Sequence, residues 1–135
     1  MVDRMGKIIQ KAKVINYQHF LMNDLSAIIE PDFLVDTGAA MLCLRKKEIE
    51  SLKLQKRFEK KAVTANGVVT RPIYSAVDVE VDERHFVCEV MEIPDDAPPL
   101  MGYLVLEGLD LIADTSAQKL VGNPMHGGKY MVDLL

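Results

Sequence analysis

The chain has 135 residues, 49% of them hydrophobic, and a net charge of −4. That is the length of one domain with a core of ordinary size. The negative balance argues against a general nucleic-acid binder and against anionic membrane surfaces, and no apolar run approaches the ~18 residues that span a bilayer.

Met1 to Lys7 has no signal-peptide apolar core, so an intracellular, cytoplasmic protein is expected. Gly6 to Tyr17 carries the strand formers Ile8, Ile9, Val14 and Ile15, and Phe20 to Ile29 is a second apolar run broken at Asn23-Asp24. Two early strands joined near Asn16 to His19 are expected. Glu30-Pro31-Asp32 reads as a turn into Phe33-Leu34-Val35, a short apolar strand of the buried type. That strand ends on Asp36-Thr37-Gly38-Ala39. A carboxylate at the end of a buried strand is costly unless it is paired or shares a proton. The glycine lets backbone, or a partner chain, come close. A plain turn is the competing reading, since Asp and Gly are common turn residues. It is weakened by Ala39 to Leu44, small and apolar, which keeps the chain in the core.

Arg45 to Leu54 reads as a helix with Leu44, Ile49 and Leu52 on one side. Arg45 to Lys61 holds eight basic residues against three acidic ones. Without aromatic interleaving this reads as a solvated helix and loop rather than an anion-binding patch. Ala62 to Thr70 is the clearest hairpin, with Asn66-Gly67 between β-branched residues. Pro72 demotes its second arm to an edge strand or a bend. Ile73 to Val81 alternates, Asp82-Glu83-Arg84 turns, and Phe86 to Ile93 returns as a strand. After the loop Pro94 to Pro99 come Leu100-Met101-Gly102, a short helix over Tyr103 to Gly108, and a strand over Leu109 to Ala113. Asp114 to Ala117 turns into a return strand, Gln118 to Val121. The tail from Gly122 is open between a strand that pairs with a second chain and a frayed end. Residues 1–135 read as one all-β domain, barrel or sandwich, without repeat or linker.

Apolar-apolar-Asp36-Thr37-Gly38-Ala39, a helix, a glycine-tipped hairpin, a second hairpin, then apolar-apolar-Gly102, a short helix and a strand resemble a retropepsin-like (retroviral-type) aspartic protease. The chain is most similar to the small bacterial single-domain members, over about residues 6–124, with 125–135 as a tail. The resemblance implies a closed barrel with one or two short helices, dimerised about a two-fold axis. It implies that Asp36 is the catalytic carboxylate and that Thr37 bonds across the axis. Gly38, with Ala39, would let the two loops approach and would hold substrate backbone. Ala65, Asn66, Gly67 and Val68 would form a flap over a peptide, and Leu100-Met101-Gly102 would pass behind the Asp loop. It implies no metal and no cofactor. The chain departs from the viral pattern at Ala40 and Tyr103, where the viral enzymes usually have an acid and an arginine that pair; both partners are absent together.

The residues support a dimer independently of the resemblance. Amide hydrolysis needs an acid and a base, two close carboxylates share one proton cheaply, and this chain offers one such Asp. A symmetric pair of chains supplies the second. The expected function is thus a homodimeric aspartic endopeptidase acting on peptide or protein. The alternative is a non-catalytic peptide-binding or dimerisation module on the same barrel.

Other constellations are poorer. Asp114-Thr115-Ser116 also follows an apolar run, but serine replaces the glycine, so it reads as a hairpin turn. His19, His85 and His126 lack ligand spacing, and Cys43 and Cys88 read as reduced apolar residues.

Overall fold

Alternating β-branched residues build the centre of the sheet. The computed structural model describes residues 7–135. Nine strands share one sheet: β1 (Ile9–Lys11), β2 (Lys13–Asn16), β3 (Ile28–Ile29), β4 (Asp32–Val35), β5 (Leu42–Arg45), β6 (Lys56–Thr64), β7 (Gly67–Val81), β8 (Arg84–Ile93) and β9 (Leu100–Met101). Their order is β1-β4-β9-β5-β8-β7-β2-β3, with β6 on the outer part of β7. β10 (Leu111–Asp114) and β11 (Lys119–Gly122) form a separate antiparallel pair. Val77, Val79 and Val81 of β7 are buried, as their spacing of two requires, and pack with Phe33, Leu42, Leu44, Val90 and Met101. Helices α2 (Lys46–Ser51) and α3 (Tyr103–Leu109) close this core with Ile49, Val105 and Leu109.

The sheet is mostly β and curled into a half-barrel. Its two end strands, β1 and β3, do not pair with each other among the described residues, so the closed barrel expected from the sequence is not formed by one chain. Among the described residues there are three short α-helices, and a 3-10 helix over Pro124–His126, rather than one or two helices. The additional α-helix is α1 (Tyr17–Leu21), where a second early strand was expected. Asn16 causes the change. Its Oδ1 accepts from the His19 backbone N–H at 3.2 Å, which caps the helix, and its Nδ2 donates to the Leu52 carbonyl at 2.9 Å. Only Ile28–Ile29 of the expected strand remains, and Phe20, Leu21, Met22 and Leu25 are exposed.

The basic run also departs from expectation. Lys56 to Lys61 lie in β6, not in a helix and loop, so the hairpin is longer than Ala62 to Thr70. Thr64 pairs with Gly67, Ala65 and Asn66 form the turn, and Gly67 takes the left-handed backbone with φ of 114°. Pro72 faces Glu59 on one side, while pairing with β8 starts only at Ile73. Its missing N–H therefore costs no ladder bond on the other side, as an edge position requires.

The tail is strapped down rather than frayed. Asp110 ends α3 in the left-handed conformation, and its carboxylate accepts from Asn123 Nδ2 at 3.1 Å and from the Met131 backbone N–H at 3.1 Å. His126 sits between two carboxylates, Nδ1 at 2.6 Å from Asp110 and Nε2 at 2.9 Å from Asp133. Only the imidazolium can donate from both nitrogens. Arg84, buried, donates to the carbonyls of Leu109, Asp110 and Gly128. Gly122 passes so close to Gly128 that a Cβ there would lie 2.1 Å from its carbonyl oxygen.

The hydrogen bonds that His126 donates to Asp110, and then to Asp133, raise its pKa, and the one accepted by Asp110 lowers the pKa of that carboxylate. A raised histidine stabilises fully below its unfolded value of about 6.5 and loses its contribution as pH climbs through the folded value. The lowered Asp110 contributes above the ordinary carboxylate range and fails only in acid. Hydrogen exchange at the Met131 amide, corrected for intrinsic rate, should therefore lose protection as pH rises from about 6 to about 9. In His126→Gln that amide should be poorly protected throughout, with no such pH dependence.

Candidate active site

Phe33 anchors the strand that delivers the carboxylate: it is fully buried, while Leu34 and Val35 are half-buried. Beyond them Asp36 is half-buried and Thr37 and Gly38 are exposed. The Asp36 N–H donates to the Met101 carbonyl at 3.0 Å, which fixes the end of the strand. Asp36 Oδ1 accepts from the Gly38 N–H at 2.9 Å, and the Ala39 N–H reaches the Asp36 carbonyl at 3.1 Å. The loop thus turns on its own aspartate and leaves one carboxylate oxygen without a hydrogen bond to the described residues.

Strand β9 threads between the two arms of this loop. Leu100 and Met101 run parallel to Leu34 and Val35 of β4 and antiparallel to Cys43 and Leu42 of β5. Helix α3 starts at Gly102, which offers no side-chain cap. The N–H groups of Gly102, Tyr103 and Leu104 instead donate to the carbonyls of Met41, Ala39 and Ala40, at 3.1, 2.8 and 3.1 Å. The unpaired donors at a helix start are thereby satisfied by the loop itself. Nothing larger than hydrogen fits at Gly102, since a Cβ would lie 2.4 Å from the Ala40 carbonyl carbon and 2.6 Å from the Met41 oxygen.

The structure joins Asp36, Thr37, Gly38 and Ala39 to Leu100, Met101 and Gly102 in one hydrogen-bonded unit. Ala65, Asn66, Gly67 and Val68 are apart from it, all exposed at the tip of the β6–β7 hairpin. Cys43, read from the sequence as a reduced apolar residue, is buried near the site. Burial, and then the nearby charge of Asp36, push its thiol up to about 11, which keeps it protonated. Cys88 is pushed up to about 12, chiefly by burial, so neither thiol is a nucleophile. Asp114 is a turn residue, with Oδ1 accepting from Ser116 and from the Ala117 N–H. Among the described residues no cluster of three or more His, Cys, Asp or Glu is placed to hold a metal, and no helix is long and apolar enough to cross a membrane.

A short strand ending on Asp-Thr-Gly thus lies beside an apolar-apolar-Gly strand that opens a helix. Residues 22–106 match the family model described as aspartyl protease, and the chain belongs to that family. A solved structure titled "EIAV protease complexed with the inhibitor HBY-793" is similar in fold, with a TM-score of 0.52 and 18% identity. The match covers 76% of this chain and 88% of that one. No curated protein sequence matches the chain. The protein is therefore a retropepsin-like aspartic protease by family and fold.

The close approach at Gly102 gives a sharp test. Gly102→Ala should destabilise the protein by about 1–3 kcal/mol, because backbone must move to admit the methyl group. Chemical denaturation would measure it; Ala40→Gly, which touches the same place from the other side, should cost less.

Proposed function

We propose that the protein is a homodimeric aspartic endopeptidase, with Asp36 of each of two chains forming the catalytic pair. The observation that carries this is the Asp36 loop: a half-buried carboxylate, fixed by Gly38, Met101 and α3, beside an exposed Thr37 and Gly38. A carboxylate so precisely held at an open face fits a partner loop brought up by a two-fold axis. Thr37 would hydrogen-bond across that axis, and the half-barrels would complete one another. The retroviral fold, seen elsewhere with an inhibitor bound, supports peptide as the substrate. The β6–β7 hairpin, exposed at Ala65 to Val68, would serve as the flap. A reducing, cytoplasmic setting accords with two free thiols.

In the paired site one Asp36 is charged and the other holds a proton. The charged carboxylate takes a proton from a water, whose oxygen attacks the scissile carbonyl carbon. The neutral one gives its proton to the carbonyl oxygen. The amine then leaves with a proton returned by the first carboxylate as the C–N bond breaks. The second carboxylate takes back a proton from one hydroxyl of the intermediate, which leaves the carboxylic acid product and restores a pair that holds one proton.

Cleavage of a mixed peptide library by wild type, set against Asp36→Asn at equal concentration, tests this. Wild type should cleave, with a bell-shaped pH profile and a rate per chain that falls on dilution. Asp36→Asn should lose activity by at least about a hundredfold while keeping its fold. Wild type that binds peptides and never cleaves them would instead identify a binding module.

A further inference from the structure

We infer that Lys60 and Arg71, on the inner face of the β6–β7 hairpin, hold an acidic side chain of the peptide substrate; this rests on the proposed peptidase reading and specifies its substrate class.

Register and alternation place the two cations together. Lys60 of β6 lies directly opposite Arg71 of β7, with Phe58 opposite Ile73 on one side of them and Ala62 opposite Val69 on the other. Residues two apart on a strand share a face, so all six belong to one face. Burial says which face it is. On this face Ile73 is fully buried, Ala62, Val69 and Arg71 are half-buried, and Phe58 and Lys60 are exposed, whereas Lys61, Val63, Val68 and Thr70 on the opposite face are all exposed. Arg71 therefore lies on the face turned toward the body of the protein, with the exposed Lys60 opposite it on the same face.

Like charges directly opposite on neighbouring strands repel. Neither side chain makes an ion pair among the described residues, and the Lys60 ammonium lies 5.8 Å from the centre of the Phe58 ring. Of the other cations of the strand, Lys56 pairs with Glu59 at 2.9 Å and Arg57 pairs with Glu89, while Lys61, on the outer face, makes no ion pair among the described residues. Lys60, but not Arg71, borders an open groove of about 530 Å³ whose walls include Met41, Leu104 and Cys88 and two carboxylates, Glu89, which is paired with Arg57, and Glu107. Met41 is the residue that closes the Asp36 loop against Gly102. The groove thus continues from the end of the catalytic loop to the root of the hairpin. An extended peptide lying under the hairpin would place apolar side chains against Met41 and Leu104 and a carboxylate beside Lys60 and Arg71. Two cations in one register are complementary to Asp or Glu, and they disfavour Lys or Arg at the same substrate position.

The test uses Asp36→Asn protein, so that peptides are bound and not cut, and fluorescence anisotropy on labelled decapeptides. Glu is walked through an otherwise uncharged apolar sequence, with Gln at the same position as its match. One position should favour Glu over Gln by about tenfold or more at low salt, with the gap closing as salt rises. Lys60→Glu and Arg71→Glu should each abolish or invert the preference, and Lys60→Arg should keep it. Lys61→Glu, on the outer face, should change it little. Equal binding of Glu and Gln peptides at every position, no binding of either, or an equal loss in Lys61→Glu and Lys60→Glu would overturn the inference. Wild-type cleavage indifferent to Glu, with the peptidase reading intact, overturns this inference alone. Glu-selective binding with no cleavage by wild type overturns the peptidase reading alone.

Discussion

Three backbone hydrogen bonds hold the functional half of this molecule together. Helix α3 begins without a capping side chain, and its first N–H groups find their acceptors in the carbonyls of Ala39, Ala40 and Met41. The loop that presents Asp36 is in that sense the cap of a helix that begins nearly half the chain later, at Tyr103. The arrangement fixes a polar loop without spending any side chain on it, so Thr37 and Gly38 stay free for other contacts. It also explains why glycine stands at position 102: the two backbones are too close for a methyl group. Buried backbone donors must be paired, and here pairing them is the same act as shaping the site.

The motif of the site was legible because its constraints are local. Phe33-Leu34-Val35 read as a buried strand and Asp36-Thr37-Gly38 as its turn, whereas the place of Leu100-Met101-Gly102 behind that loop was expected only from the resemblance. What was less legible depends on contacts distant in sequence. Phe20 to Met22 look like a strand by composition. Asn16 diverts them into a helix by capping it and by bonding to Leu52, a partner that no local pattern announces. Lys56 to Lys61 look like a solvated loop because charged residues carry little strand propensity of their own. They are a strand because β7 offers them a ladder, and β-propensity measures fit to a neighbour more than an intrinsic preference. The tail was ambiguous for the same reason. Its order comes from Arg84, Asp110 and His126, which lie far apart along the chain.

The half-barrel suits the proposed dimer. One chain presents a single carboxylate of this kind, and its sheet ends on two strands that do not meet among the described residues. Closure of the sheet and completion of an acid–base pair are both things a second copy could supply through one two-fold axis. In the proposed dimer an isologous contact would bring the same loop from each side, so the group each chain lacks would be the one that its partner carries.

Charge is distributed unevenly over this frame. The chain as a whole has a net charge of −4, yet residues 56–71 carry five basic residues against one acidic. A hairpin gains nothing in stability from two cations facing each other across its strands, and it would be less strained with either one replaced by a neutral residue. Lys56 and Arg57 of β6 are matched by glutamates, Glu59 and Glu89, while Lys60 and Arg71 make no ion pair among the described residues. Repulsion within an empty hairpin is relieved when an anion enters between the two groups. Substrate charge would then act twice, once as a contact and once as the removal of a cost, and the flap would close more readily over an acidic peptide than over a neutral one. Selectivity of that kind needs no deep pocket, which suits a groove that is open along its length.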